Sequence, residues 1–363
     1  MKSKYLICFL MMCVLASAGF SQTTYSESIS YKPRQFTEPV KKESKKDRKK
    51  KADENTEAIV APVAILDGEI AVTIPFAVLD RTGSAIAGVT GKDVSVFVDN
   101  VEVPISAFEQ DKEPLNVILM MDSSPSAAFR FEKMQEQAKK FINALPSKVK
   151  VMVVDFNTLL NVRSQPTTDR SATEAAILKK VKMGDGTSIY SAIQVLYEEV
   201  LPSVGGRKVI VLMTDGVDTT SQKSTFARSL AEVEKEDVTI YPVYFDTFND
   251  PRNPGNRRAD DWITQILRNN PMLGSPRMPL PGSSETEYKK GLIYLQDLAN
   301  ASGGRVFSSE KLEAGTKSLL GEFENRCYIT VKVPRKNAGS RTLRVRVNRP
   351  SVAVFARGSF VEK

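Results

Sequence analysis

Histidine is absent from this 363-residue sequence. That removes the commonest general base near neutral pH and the commonest transition-metal ligand. Ser-His-Asp catalysis, Cys-His catalysis and every His-containing zinc site are excluded with it. Cysteine is scarce, with three in all. Cys8 and Cys13 sit in an apolar N-terminal run, so a chain cut behind that run keeps only Cys327 and no internal disulfide. Cys13 follows Met12, where a lipid-attachment site requires a small residue. Cys327 opens a strand-like stretch and reads as a small buried hydrophobe rather than a reactive thiol. The one tryptophan, Trp262, reads as packing for a short helix rather than a partner anchor.

Long apolar runs are missing as well. The run from Tyr5 to Leu15 is shorter than the roughly 20 residues of a spanning helix. With Lys2 and Lys4 before it and Ala16-Ser17-Ala18 after it, it has the form of a secretory signal. Residues 1–22 are the expected signal peptide, cut behind Ala18 or by Gln22 at the latest, and the mature chain is expected to have no transmembrane segment. The formal charge of +8 is concentrated near this end. Lys2 and Lys4, with eight basic and two acidic residues between Lys41 and Lys51, account for all of it. The latter run has no apolar period, so 23–65 is expected to be a disordered basic linker. It could touch an anionic surface weakly, though a solvated tether is the simpler reading, and no specific nucleic-acid binding is expected.

Beyond residue 65 the patterning is ordered. Ile70, Val72, Ile74, Phe76 and Val78 alternate with smaller or polar residues, the period of a half-buried strand. Val94, Val96 and Val98 alternate again, and Asp99-Asn100 suggests a hairpin turn. From Leu115 the grammar changes to continuous apolar runs, which mark strands buried on both faces. These runs are 115–121, 149–156, 208–213 and 238–243, with a plausible edge strand at 160–163 and a short strand at 305–307. Amphipathic stretches stand between them: 131–145, 189–200, 224–234, 288–300 and 314–324. Strands alternating with helices predict a doubly wound, mostly parallel sheet. The last forty or so residues return to alternation, with Ile329, Val331 and Val333, then Leu343, Val345 and Val347. The two β stretches, 66–110 and 325–361, are each too small to bury a core. The expected architecture is therefore α/β: a doubly wound domain at 112–324 inserted in one discontinuous β-sandwich.

The chemistry gathers where strands end. Asp122-Ser123-Ser124-Pro125-Ser126 follows the first buried strand in a D-x-S-x-S spacing. Thr187 lies in the glycine-rich turn Gly184-Asp185-Gly186-Thr187-Ser188. Asp215 follows the strand 208–213 in Met213-Thr214-Asp215-Gly216. Strand ends feed the ligand crevice of a doubly wound sheet, so the three pieces converge. Two carboxylates and three hydroxyls form an all-oxygen set, which suits Mg²⁺, Mn²⁺ or Ca²⁺.

The set Asp122, Ser124, Ser126, Thr187 and Asp215 resembles the metal-ion-dependent adhesion site of von Willebrand factor A-type domains in order and spacing. The resemblance implies that the Ser and Thr hydroxyls meet the metal, that the aspartates bind it directly or through water, and that a partner's Asp or Glu completes the shell. Mg²⁺ is the first expectation for the cation, with Mn²⁺ or Ca²⁺ as alternatives. Pro125 departs from the commoner loop pattern, but it removes only a backbone donor. The flanks resemble the A-related domain of acidobacterial secreted proteins, through 77–83 (AVLDRTG), 94–100 (VSVFVDN) and 354–358 (VFARG). That implies a secreted or periplasmic bacterial protein. The expected function is metal-dependent protein binding of the adhesion type rather than catalysis. Two rivals stand beside it: a metal-assisted hydrolase using Asp122, and an assembly subunit stiffened by its metal. Asp218 is open between supporting Asp215 and lying solvated in a loop. The proline-rich segment 246–287 leaves the strand 238–243 on the same face and is expected to border the binding surface.

Overall fold

The computed structural model describes residues 65–110, 115–181, 183–250, 282, 284–336 and 339–362. The expected signal peptide, the basic linker with its Lys41 to Lys51 run, Trp262 and most of the proline-rich segment lie outside them.

Along β1 (Ile65–Leu79) the alternate residues Val72, Ile74, Phe76 and Val78 are buried, because side chains two apart share one face of a strand. Next come β2 (Val94–Val98), β3 (Val101–Val103) and β4 (Ile105–Gln110). Asp99 and Asn100 have φ of 51° and 66°, the backbone that a two-residue hairpin turn demands. Val98 accordingly pairs with Val101 across it.

β5 (Leu115–Asp122) is buried along its whole length and opens the α/β part. It is followed by α1 (Phe131–Ala144), β6 (Lys150–Phe156), β7 (Leu160–Thr167), α2 (Arg170–Leu178), α3 (Ile189–Val195) and β8 (Arg207–Thr214). Then come α4 (Phe226–Lys235), β9 (Thr239–Tyr244), α5 (Glu285–Ser302), β10 (Phe307–Ser308) and α6 (Leu312–Glu324). The strands form one sheet in the order β10-β9-β8-β5-β6-β7. Every pairing is parallel except the edge pair β6–β7. Successive β5 residues face opposite layers: Val117, Leu119 and Met121 join one apolar core with α1, α2 and α6, and Ile118 and Met120 join another with α3, α4 and α5.

Three elements differ from expectation. α2 was not expected; it buries only Thr173, Ala176 and Ile177, a stripe too thin and too polar to show a period. β7 runs on through Pro166, which an edge strand tolerates because one side needs no donor. α5 starts three residues before Tyr288, since Ser284 and Glu287 form a capping box that satisfies its first amides.

The chain ends in β11 (Cys327–Lys336), β12 (Ser340–Val347), β13 (Ala353–Ala356) and β14 (Ser359–Val361). These strands interleave with the first four in two sheets, β13-β1-β11-β4 and β14-β12-β2-β3. Ile70 pairs with Val333, Val72 with Val331 and Ile74 with Ile329. Strands from both chain ends thus close a single apolar core. The doubly wound sheet is inserted in a discontinuous β-sandwich. Buried arginines fasten the two parts together: Arg326, just before β11, donates to Tyr241 Oη (2.7 Å), and Arg357, just after β13, pairs with Asp237 before β9 (3.0 Å).

Candidate functional site

From β5 the chain steps to β6 on one side, and later to β8 on the other. Such a reversal opens a crevice at the carboxyl ends of the strands. β5 ends on Asp122 and β8 on Thr214, with Asp215 next. Met121 lies in register with Met213, which sets Asp122 across from Thr214. Thr214 Oγ1 donates to Asp122 Oδ2 at 2.6 Å, and the other oxygen, Oδ1, accepts Ser124 N at 2.9 Å. Past β5 the chain turns sharply, so Ser124 Oγ and Ser126 Oγ come within 3.1 Å of one another. The Ser126 hydroxyl stands near the Asp215 carboxyl and favours its charged form. Four of the five expected residues are therefore in one connected cluster.

Thr187 reaches the same rim through its neighbours. Gly184 N donates to Ser123 O (3.4 Å). Thr219 Oγ1 accepts Thr187 N (2.9 Å), while the amides of Thr219 and Thr220 both donate to Thr187 O (2.8 and 3.0 Å). The loop that follows Asp215 thus carries Thr187. Asp218 belongs to the same clasp: it accepts Tyr190 N (3.2 Å) and Ser221 Oγ (2.5 Å). It is a partly buried tie between the two loops, not a solvated acid, and burial raises its pKa. Gly216, with φ of 78°, lets this loop leave β8, and a Cβ there would stand 2.7 Å from Gly291 O on α5. Only glycine fits both demands.

Asp122 and Asp215 are fully buried. Burial, with the charge of Asp215 adding to it, pushes the Asp122 carboxyl up to about 7. Asp215 is raised too, chiefly by burial. Among the described residues neither carboxylate has a basic partner in an ion pair. Two desolvated acids that oppose each other's ionisation, ringed by hydroxyls, fit a hard divalent cation: it would remove the repulsion and satisfy the remaining oxygen lone pairs. Among the described residues no group of three or more His, Cys, Asp or Glu that could hold a metal ion is assembled.

Below the Asp122 loop lies a polar support that the motif does not reveal. Ser123 Oγ donates to Asp155 Oδ2 (2.9 Å) and accepts from Asn157 Nδ2 (3.2 Å). Asp155 is ion-paired with Arg163, whose Nη1 also donates to Lys179 O (2.9 Å). An acid inside the apolar run of β6 was the available signal. Thr214 was inside a quoted motif without an assigned role. Thr247, whose Oγ1 donates to Asp215 Oδ2 (2.7 Å), gave no signal.

Residues 117–217, which run from within β5 through the Asp122 loop and Thr187 to just past Asp215, match the family model of the von Willebrand factor type A domain. The chain carries a von Willebrand factor type A domain. A curated relative, a UPF0353 protein of Nocardia farcinica, is 25% identical over 218 residues. The match spans 55% of this chain and 57% of that protein, so only about half of the relative's length is shared. Among solved structures, a von Willebrand factor type A protein from Catenulispora acidiphila is 14% identical with a TM-score of 0.41, covering 77% of this chain and 73% of its own. Proximal thread matrix protein 1 of the mussel byssus, solved with a zinc-occupied MIDAS motif, is 15% identical with a TM-score of 0.40, covering 64% and 50%. In the A-type domain of this chain no described helix is long and apolar enough to cross a membrane, nor is any elsewhere among the described residues.

Proposed function

We propose that the A-type domain is a binding module that holds a divalent cation between Asp122, Ser124, Ser126, Thr187 and Asp215 and uses it to capture an acidic side chain of a protein partner. The observation that carries this reading is the pair of fully buried aspartates meeting at the switch-point crevice among hydroxyls. A bound cation would offer a point of positive charge to a carboxylate oxygen from outside. The protein's part is orientation. Thr214 and Ser124 fix Asp122, the Val217 amide fixes Asp215, and the 215–221 loop fixes Thr187. Mg²⁺ suits the small, hydroxyl-rich set, with Mn²⁺ or Ca²⁺ as further candidates.

Binding is favoured over hydrolysis by the state of Asp122. Both of its oxygens accept hydrogen bonds, and none of its surface is open to solvent, which does not suit a nucleophile or a mobile base. The N-terminal signal pattern supports a secreted or periplasmic bacterial protein, and the basic run around Lys41 to Lys51 would add weak attraction to an anionic surface. The test is capture of partners by the protein without residues 1–22, in Mg²⁺ and again in EDTA. Capture that needs Mg²⁺ and is competed by a Glu-containing peptide is expected. Capture indifferent to both EDTA and the peptide contradicts the reading.

A further inference from the structure

Thr247 stands beyond β9, at the exit into the proline-rich segment, and its side chain is fully buried. Its Oγ1 lies 2.7 Å from Asp215 Oδ2 and 3.1 Å from Tyr288 Oη. One hydroxyl has one proton to give. The carboxylate is the stronger acceptor, so that proton goes to Asp215, with Tyr288 Oη the weaker, competing acceptor. Tyr288 is in the first turn of α5, where the chain returns from the same segment, and its ring packs against Phe248 with centroids 5.1 Å apart. Asp215 Oδ1 meanwhile accepts Val217 N at 3.0 Å. A carboxylate tied at both oxygens cannot swing about its last bond, yet each oxygen keeps a lone pair for a further ligand.

Resting on the cation reading above, we infer that Thr247 is a positioning residue of the site: its hydroxyl fixes the Asp215 carboxylate in the orientation that receives the cation. The loop leaving β9 is then a fourth segment of a site that the motif divides into three. The same loop is also fastened to the first segment. Buried Asp250 pairs with Arg130, in the turn after Ser126, and Arg130 Nη2 donates to Asp246 O at 3.1 Å. Residues 246–250 therefore touch both carboxylate loops, one through Thr247 and the other through Arg130.

Calorimetric titration of the full chain with Mn²⁺ tests this, using the parent, Thr247→Val, Thr247→Ser and Tyr288→Phe. Valine keeps the shape of threonine and removes the hydroxyl. Loss of a group that orients a metal ligand typically weakens binding 10- to 100-fold, so about a tenfold loss is expected for Thr247→Val. Thr247→Ser restores the hydroxyl and is expected near the parent, and Tyr288→Phe, which removes only the competing acceptor, is expected no weaker than the parent. If the parent takes up no Mn²⁺ or Mg²⁺, the cation reading falls and this inference with it. If the parent binds and Thr247→Val binds equally, only the inference is overturned. Equal losses in Thr247→Val and Thr247→Ser also overturn it, since packing and not the hydroxyl would then matter. Should Thr247→Val fail to fold by circular dichroism, Thr247→Ala decides: binding weakened while Thr247→Ser stays near the parent supports the role, and parent-level affinity overturns it.

Discussion

Val72, Ile74, Phe76, Val331 and Val345 fill the sandwich with hydrocarbon, whereas Asp122, Ser124, Asp155, Thr187, Asp215 and Thr247 are as deeply buried at the carboxyl edge of the six-stranded sheet. The first interior gains from every group it shelters, because apolar area leaves water. The second must offset the desolvation of polar groups with hydrogen bonds, and even then two of its acids resist ionisation. On the proposed function, one chain thus separates stability from binding in space. The flanking strands pair along the β1–β11 seam around an apolar core, and the inserted domain gathers buried polar groups at its sheet edge.

Three changes should break that division in different places. The largest effect is expected from deleting residues 329–363. This removes most of β11 and all of β12 to β14, and with them the partners of Ile70, Val72 and Ile74. Limited proteolysis should then cleave within 65–110, while residues 115–324 produced alone should keep their fold and their cation. Strands as well protected in the deletion as in the parent would show that the two chain ends do not depend on each other. Next is Phe76→Ala in the sandwich core. Truncating a fully buried phenylalanine costs about 3–5 kcal/mol, measurable by denaturant unfolding, with cation affinity unchanged. The smallest effect on stability, and of opposite sign, is expected from Asp122→Asn. Removing one of two opposed buried charges should raise the stability of the cation-free protein by about 1 kcal/mol, while cation binding is lost. A large loss of stability in that variant would mean that the aspartate serves the fold rather than the site.

The two regions also differ in how far they could be read before folding. Apolar periodicity carries the sandwich and the doubly wound sheet, because Val72, Ile74 and Phe76, or the run through β5, are buried for reasons that sequence spacing records. The D-x-S-x-S loop, Thr187 and Asp215 could be read because each follows directly from a strand or opens a helix. What could not be read depends on distance along the chain. Thr247 meets Asp215 across 32 residues, and Thr214 meets Asp122 across 92. A lone threonine has no period, so only the register of neighbouring strands reveals its partner. α2 was missed for a related reason, since helix packing on alanine and threonine leaves no stripe to find. A segment that only borders the binding surface, as expected of 246–287, should be open to shortening with cation affinity untouched and partner binding weakened. With Thr247 bonded to Asp215, that independence holds only for a cut that spares its stem, residues 246–250 and 284–288.

The central claim is that Asp122 and Asp215 together hold one divalent cation at the switch-point crevice. Its most direct measurement is calorimetric titration of Mg²⁺ and Mn²⁺ into the full chain and into the Asp122→Ala, Asp215→Ala double variant. One ion per chain is predicted for the parent and none for the variant, with the circular dichroism of the two unchanged. A variant that folds and binds both ions as the parent does would contradict the account.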